Sequence, residues 1–366
     1  MTKSLKIDKL FLTSVILLTV AGFFVFTSAS LGLLARDGAS FEMVALKQAI
    51  GLMIGIAAFF IMSKIHYKKM RKNALYILLF AIGLNLLLFI PGLSMYHGGA
   101  TRWIDLHFIT FQPSEFLKIA FIIYFAAWLS GLKGKIDEFK WSALPYLAII
   151  GLLSLLLFFQ KDTDTLLVIA GTGFIMLFAA GGRVRHLIAI SFTMLVMLSA
   201  YVYIQPHARE RIVTYLDRSA DAQSSSYQIR QSLIAIGSGR LAGRGFGQSV
   251  QKFDYLPEPI GDSIFAVGAE EFGFIGSIVL IILFLLFFMR SIKISSRAPD
   301  MFGGLAVIGI AILIIVESFM NISSMLGLIP LSGMPLLFVS HGGTALIMTL
   351  GAAGIIANIS KHQTPQ

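Results

Sequence analysis

The stretch Gln112-Pro113-Ser114-Glu115-Phe116-Leu117-Lys118 sets an acid and a base three residues apart at the mouth of an apolar run. Pro113 suits the first position of a helix, and at i, i+3 Glu115 and Lys118 share a face. They form either a self-neutralising ion pair or a cation aimed into an outward-facing cavity. Asp162 and Asp164 are a second acidic pair, solvated in a loop or placed across a cavity where Asp162 helps hold a divalent cation, Mg or Mn. Asp262 follows Leu256-Pro257-Glu258-Pro259-Ile260-Gly261, whose two prolines and glycine keep the chain out of helix. It stands at the next helix start, as an N-cap or as a poised carboxylate. Glu270 and Glu271 lie about 12–13 Å further along that helix. Glu317 has no partner in its own run, so it is protonated or paired to another helix. His341, in Ser340-His341-Gly342-Gly343-Thr344, is a structural hydrogen bonder or a reactive group. Residues 237–247 interleave glycines with Arg240 and Arg244 and could present amides and guanidinium groups to phosphate. No Gly-Lys-Ser/Thr follows, so this is not a P-loop.

The elements that must position these groups are set by composition. The 366-residue chain is 57% hydrophobic and 13% charged, against about 25% charged in soluble domains. A bilayer core needs roughly 20 apolar residues per crossing helix. Such runs recur near 10–34, 43–63, 74–92, 113–131, 143–159, 165–181, 186–204, 263–289, 302–329 and 335–359. The expectation is an all-α, polytopic membrane protein of about ten transmembrane helices, with 143–159 and 165–181 short enough to be tilted or distorted. Ionisable groups kept inside lipid cost about 2.5–3.5 kcal/mol each on insertion scales, which makes the residues above functional candidates. With no cysteine, disulfides and thiolate metal sites are excluded. The run after Lys3, Lys6 and Lys9 is too long for a cleavable leader.

Positive charge orients the spans. Lys64, Lys68, Lys69, Arg71 and Lys72, then Lys133, Lys135 and Lys140, Arg183 and Arg185, and Arg290, Lys293 and Arg297 fall in alternate connections. Lys361 and the N-terminal lysines join that side, which is therefore cytoplasmic, with both termini. The opposite short connections carry little beyond Arg36, Arg102 and Lys161, and a long loop translocates largely regardless of its charge. The net charge of +10 thus marks topology beside anionic lipid rather than nucleic-acid binding. Residues 205–262 form a long extracytoplasmic loop before the eighth span, and 361–366 a cytoplasmic tail of a single 1–366 domain. Within the loop, Ser224-Ser225-Ser226 offers a helix start ahead of Ile229, Leu233 and Ile236, an amphipathic spacing.

Three long stretches, in order, carry a resemblance. Asn321–Ala345 reads NISSMLGLIPLSGMPLLFVSHGGTA; Gly99-Ala100-Thr101-Arg102-Trp103-Ile104 leads into Gln112–Lys118; and Gln231–Gly239 runs on to Leu256-Pro257-Glu258 and Asp262. On these the chain resembles the SEDS family (shape, elongation, division and sporulation proteins) over nearly its whole length. The pattern of Gln248–Lys252 and Tyr255–Pro259 is more similar to the family's division branch, FtsW, than to RodA. The chain departs from the usual pattern at Thr101, Lys161, Asp164, Glu317, His341 and Ala345, while Asp162 and Asp262 are kept.

The resemblance implies a peptidoglycan glycosyltransferase that polymerises lipid II at the outer face of the bacterial cytoplasmic membrane, in septal synthesis during division. It implies Asp262 as general base, with Arg102 and Lys118 as candidates for the pyrophosphate and Arg244 as a third. Gln112, Glu115, Ser340 and His341 complete the expected substrate-binding set. Implied partners are lipid II, a class B penicillin-binding protein supplying transpeptidation, and other divisome membrane proteins. Three alternatives stay open: a lipid II flippase, a noncatalytic division scaffold, and a RodA-like role in elongation.

Overall fold

The computed structural model describes residues 6–35, 41–97, 100–105, 110–132, 134–216 and 225–363. Lys3, Arg36, Gly99, Lys133, Ser224 and the end of the expected tail, 364–366, lie outside the described residues. The bundle begins with α1 (Lys9–Ser30), α2 (Phe41–Lys64), a short α3 (Tyr67–Lys72) and α4 (Ala74–Leu86). A small antiparallel sheet follows, β1 (Ser94–His97), β2 (Ala100–Asp105) and β3 (Thr110–Phe111), in that order. Then come α5 (Pro113–Gly131), α6 (Ala143–Phe159), α7 (Thr163–Ala179) and α8 (Val184–Ile204). The last elements are α9 (Pro206–Leu216), α10 (Ser225–Ser238), α11 (Ile264–Ser296), α12 (Met301–Met325) and α13 (Gly343–Ser360).

Among the described residues seven helices, α1, α2, α5, α8, α11, α12 and α13, are long and apolar enough to cross a membrane. The segments 74–89, 143–159 and 163–179 are apolar but shorter. The fold is thus all-α and polytopic; each of the ten sequence runs overlaps an apolar helix, and seven of these helices have spanning length. The sheet is an addition that apolar periodicity does not reveal. The final run is also broken: residues 331–336 are irregular, turns and a bend follow at 337–341, and α13 starts at Gly343.

Burial follows the logic of lipid rather than water. Phe192, Leu155 and Met289 point outward, while Glu115, Lys118, Glu317 and Asn321 are inside. Without a hydrophobic drive between helices in lipid, close contact comes from small residues. The α2–α13 seam shows this: a methyl on Gly354 would meet the Phe59 carbonyl oxygen at 2.5 Å.

One end of the bundle gathers many of the basic connections. Arg290 donates to Asp8 at 2.6 and 2.8 Å, Tyr67 hydroxyl to Asp300 at 3.1 Å, and Lys361 Nζ to the Ser63 carbonyl at 2.7 Å. The Asp8 amide donates to Ser360 at 3.2 Å, joining the two ends of the chain.

Candidate functional site

Asp262 sits in a tight turn closed by amides of Gly261 and Ser263 donating to the Glu258 carbonyl, both at 3.1 Å. Ser263 is the N-cap of α11, so Asp262 stands one residue ahead of the cap. Asn321 of α12 fixes the turn: its Nδ2 donates to the carbonyls of Asp262 at 2.7 Å and Met334 at 2.8 Å. The irregular segment before α13 holds the other side. Ser340 Oγ donates to the Gly261 carbonyl at 2.8 Å and accepts from the Leu336 amide at 2.8 Å. The His341 amide donates to the Ile260 carbonyl at 2.7 Å. The His341 ring is stacked on Phe26 and meets Gln48 at 3.1 Å. Ser340 and His341 therefore position the Asp262 turn largely through its backbone.

A second carboxylate faces the same spot. A methyl on Gly333 would lie 3.6 Å from Asp262 Oδ2 and 3.8 Å from Asp164 Oδ2. Asp164 accepts from the Gly333 amide at 3.3 Å and from Arg211 Nη1 at 2.9 and 3.2 Å. Burial, first, and then the neighbouring charges of Glu258 and Asp164 push the Asp262 carboxyl up to about 7, against the opposing pull of Arg211 and Arg102. A carboxyl near 7 is suited to accept a proton at neutral pH.

Asp162 looks elsewhere. It accepts from Ser114 Oγ at 3.1 Å and Thr165 Oγ1 at 2.9 Å, with Arg102 Nη1 at 3.7 Å. Gln112 Nε2 donates to Ser114 Oγ at 3.1 Å, extending the chain, and Arg102 Nη2 donates to the Lys161 carbonyl. This donor set does not fit a resident divalent cation: Asp162 is met by hydroxyl donors and a guanidinium, not by further carboxylates. Among the described residues no group of three His, Asp or Glu side chains is arranged to hold a metal.

Two expected anion-binding residues are engaged otherwise. Lys118 is enclosed, 1% exposed, between Glu115 at 2.8 Å and Glu317 of α12. The amine thus faces two carboxylates rather than an open cavity, and Glu317 finds its partner on another helix. Arg244 pairs with Glu270 at 3.4 Å. Glu270 belongs to a separate buried cluster, while the Arg244 side chain is 41% exposed. Glu270 accepts from Ser249 Oγ at 2.6 Å and from the amides of Val250 and Gln251 at 3.2 Å. Glu271 accepts from Ser28 Oγ at 2.6 Å and from Lys252 Nζ at 2.8 Å. The two acids fasten the loop that leads to Asp262.

Arg211 was invisible to sequence reasoning. Arg209-Glu210-Arg211 reads as an ordinary solvated face, and the loop's length obscures which bundle residue it will meet. Asn321 was legible only as part of a motif.

The family model for cell cycle proteins of the FtsW, RodA and SpoVE type matches residues 8–365. Stage V sporulation protein E of Bacillus subtilis (strain 168) is 35% identical over 353 residues, 96% of each chain. A Geobacter sulfurreducens protein named "Probable peptidoglycan glycosyltransferase FtsW" is 38% identical over 316 residues, 86% of this chain and 85% of that one. In fold, the chain is similar to a member of a peptidoglycan synthase complex, with a TM-score of 0.79, 23% identity and 98% and 99% coverage. Rod shape determining protein RodA of Thermus thermophilus gives a TM-score of 0.70 at 24% identity, covering 98% of each chain. A family model spanning nearly the whole sequence, with full-length relatives above 30% identity, decides the matter: this chain belongs to the FtsW/RodA/SpoVE family of cell cycle proteins.

Proposed function

We propose that this chain is a peptidoglycan glycosyltransferase that polymerises lipid II by a single inverting displacement, with Asp262 as general base. The observation that carries the reading is the Asp262 carboxyl, held in a rigid turn and raised to about 7 beside arginines. Relatives named as glycosyltransferases supply the reaction class. The 4-hydroxyl of the acceptor GlcNAc attacks C1 of the donor MurNAc as Asp262 takes the hydroxyl proton. The C1–O bond to phosphate breaks, and undecaprenyl pyrophosphate leaves with the electron pair. An α-linked donor and a β-linked product need one inversion and no covalent enzyme intermediate. Arg102, at the outer edge of the site, is placed to offset charge on the departing pyrophosphate. Lys118, tied to Glu115 and Glu317, holds α5 and α12 together beneath it.

On this reading the basic end of the bundle, with both termini, is cytoplasmic, and Asp262 faces the outer side of the inner membrane. Crosslinking falls to a class B penicillin-binding protein, in a complex of the kind its fold neighbour belongs to. Named relatives of the FtsW and sporulation type favour a septal role among divisome proteins. The test is glycan synthesis from lipid II by purified protein with its partner. Asp262→Asn abolishes polymer while the protein stays folded, melting no lower than wild type. Polymer from that variant removes Asp262 from the mechanism. Lipid II flipping in liposomes without polymer makes the chain a transporter.

A further inference from the structure

We propose that Arg211, held in place by Asp164, is a cation that takes the leaving diphosphate beside Asp262, with Asp164 as its positioning residue. The inference rests on the glycosyltransferase reading and assigns work within that site. Three cations stand out in the sequence as phosphate candidates, and each is engaged: Lys118 is enclosed by carboxylates, Arg244 pairs with Glu270, and Arg102 is held by Asp162 and the Lys161 carbonyl. Arg211 is different. Its side chain retains 35% exposure, against 1% for Lys118 and 15% for Arg102. It lies beside Asp262, whereas the more exposed Arg244 (41%) sits with Glu270, about 12 Å further along α11. It acts on Asp262 electrostatically, and a single nitrogen, Nη1, makes both Asp164 contacts. Nη2 and Nε stand outside that pair, and a guanidinium's remaining donors suit phosphate oxygens.

The geometry that holds Arg211 is built from three elements. Asp164 opens α7 and is 9% exposed, backed by the Gly333 amide at 3.3 Å. Arg211 comes from α9, in the external loop. Further along α9, Tyr215 hydroxyl donates to the Leu328 carbonyl at 2.8 Å, so that helix is tied to the bundle at two points. The loop cation therefore has an anchor of its own. The charged groups facing Asp262 are Glu258 in its own turn, Asp164 on α7, Arg211 on α9 and Arg102 on β2.

The experiment measures lipid II polymerisation by the full-length protein with its transpeptidase partner, with inorganic diphosphate as an inhibitor. Arg211→Gln lowers kcat/KM by about 10- to 100-fold, the range expected for charged hydrogen bonds, and weakens diphosphate inhibition. Asp164→Asn lowers it by about tenfold. In the double variant the losses do not add, because Asp164 acts through Arg211. Asp164→Asn also moves the acid limb of the rate profile to lower pH, since a like charge beside Asp262 is gone and Arg211 is released toward it. The same variant weakens diphosphate inhibition, a change that loss of the like charge beside Asp262 does not by itself produce. If Arg211→Gln melts early, Arg211→Lys, which keeps a point charge, takes its place and retains measurable diphosphate inhibition. Wild-type diphosphate inhibition in every variant, or additive losses, overturns the assignment. A wild-type protein that makes no polymer overturns the glycosyltransferase reading instead.

Discussion

At the scale of single residues, Asp262 trades stability for reactivity. Its folded carboxyl is raised to about 7, whereas an unfolded aspartate titrates near 3.9. A raised group contributes stability that is complete below the unfolded value and lost as pH climbs through the folded one. Asp262→Asn is therefore expected to melt higher than wild type at pH 8, with the gap closing toward pH 4, as followed by thermal unfolding in detergent. In its proposed role as base the same group sets the rate profile: a base must be ionised, so polymerisation is expected to rise with pH through about 7 and level above it. A profile flat from pH 5 to 9 would dissociate Asp262 from the rate-limiting proton transfer. Lys118 makes the contrasting case. It lies buried between Glu115 and Glu317, and Lys118→Met leaves two buried carboxylates without a counter-charge. Breaking such a buried group costs about 3–5 kcal/mol, visible as a sharp fall in melting temperature. Glu317→Gln, which leaves a one-to-one pair with Glu115, is expected to melt within a few degrees of wild type.

At the scale of elements, the device that presents Asp262 is a helix interrupted by another segment of backbone. α11 breaks at Gly273, where φ is 67°, a conformation that glycine adopts at little cost. The freed amides of Phe274 and Ile275 donate to the carbonyls of Arg240 and Leu241, and those of Arg244 and Gly245 donate to Glu270 and Glu271. A methyl on Gly273 would come within 2.3 Å of the Gly243 nitrogen, so Gly273→Ala both strains the backbone and expels the loop. The expected outcome is loss of polymerisation with rapid proteolysis within 240–250, while the membrane bundle remains folded. Wild-type protease resistance would contradict this account of the docking. The sequence made some of these elements legible and hid others for physical reasons. Amphipathic spacing at Ile229, Leu233 and Ile236 marks α10 because a 3.6-residue period is local information. The apolar runs mark the membrane helices equally well. The break at Gly273, the Glu270–Arg244 pair and the Arg211–Asp164 contact depend on segments that meet only after folding. Hydropathy reads length and period, so the break in α11 looks like continuous helix, and the residues before α13 look like part of a span.

At the scale of the whole molecule, the charged connections bear on which end of the bundle faces which compartment. The contacts among Asp8, Ser63, Tyr67, Arg290, Asp300, Ser360 and Lys361 gather the chain's two ends and two basic connections at one pole. The Asp262 turn, Asp162, Asp164 and Arg102 belong to other connections, with apolar helices between. Lys and Arg resist translocation in short loops, so the proposed topology puts the pole with the termini in the cytoplasm and the Asp262 turn on the outer side. The absence of native cysteine allows a direct check, because every introduced thiol is unique. Lys69→Cys and Glu258→Cys change exposed residues. In intact cells a membrane-impermeant maleimide is expected to label the second and spare the first, and permeabilisation exposes both. The reverse pattern would put the carboxylate in the cytosol, where flipped substrate is absent and a polymerase of this design has nothing to join.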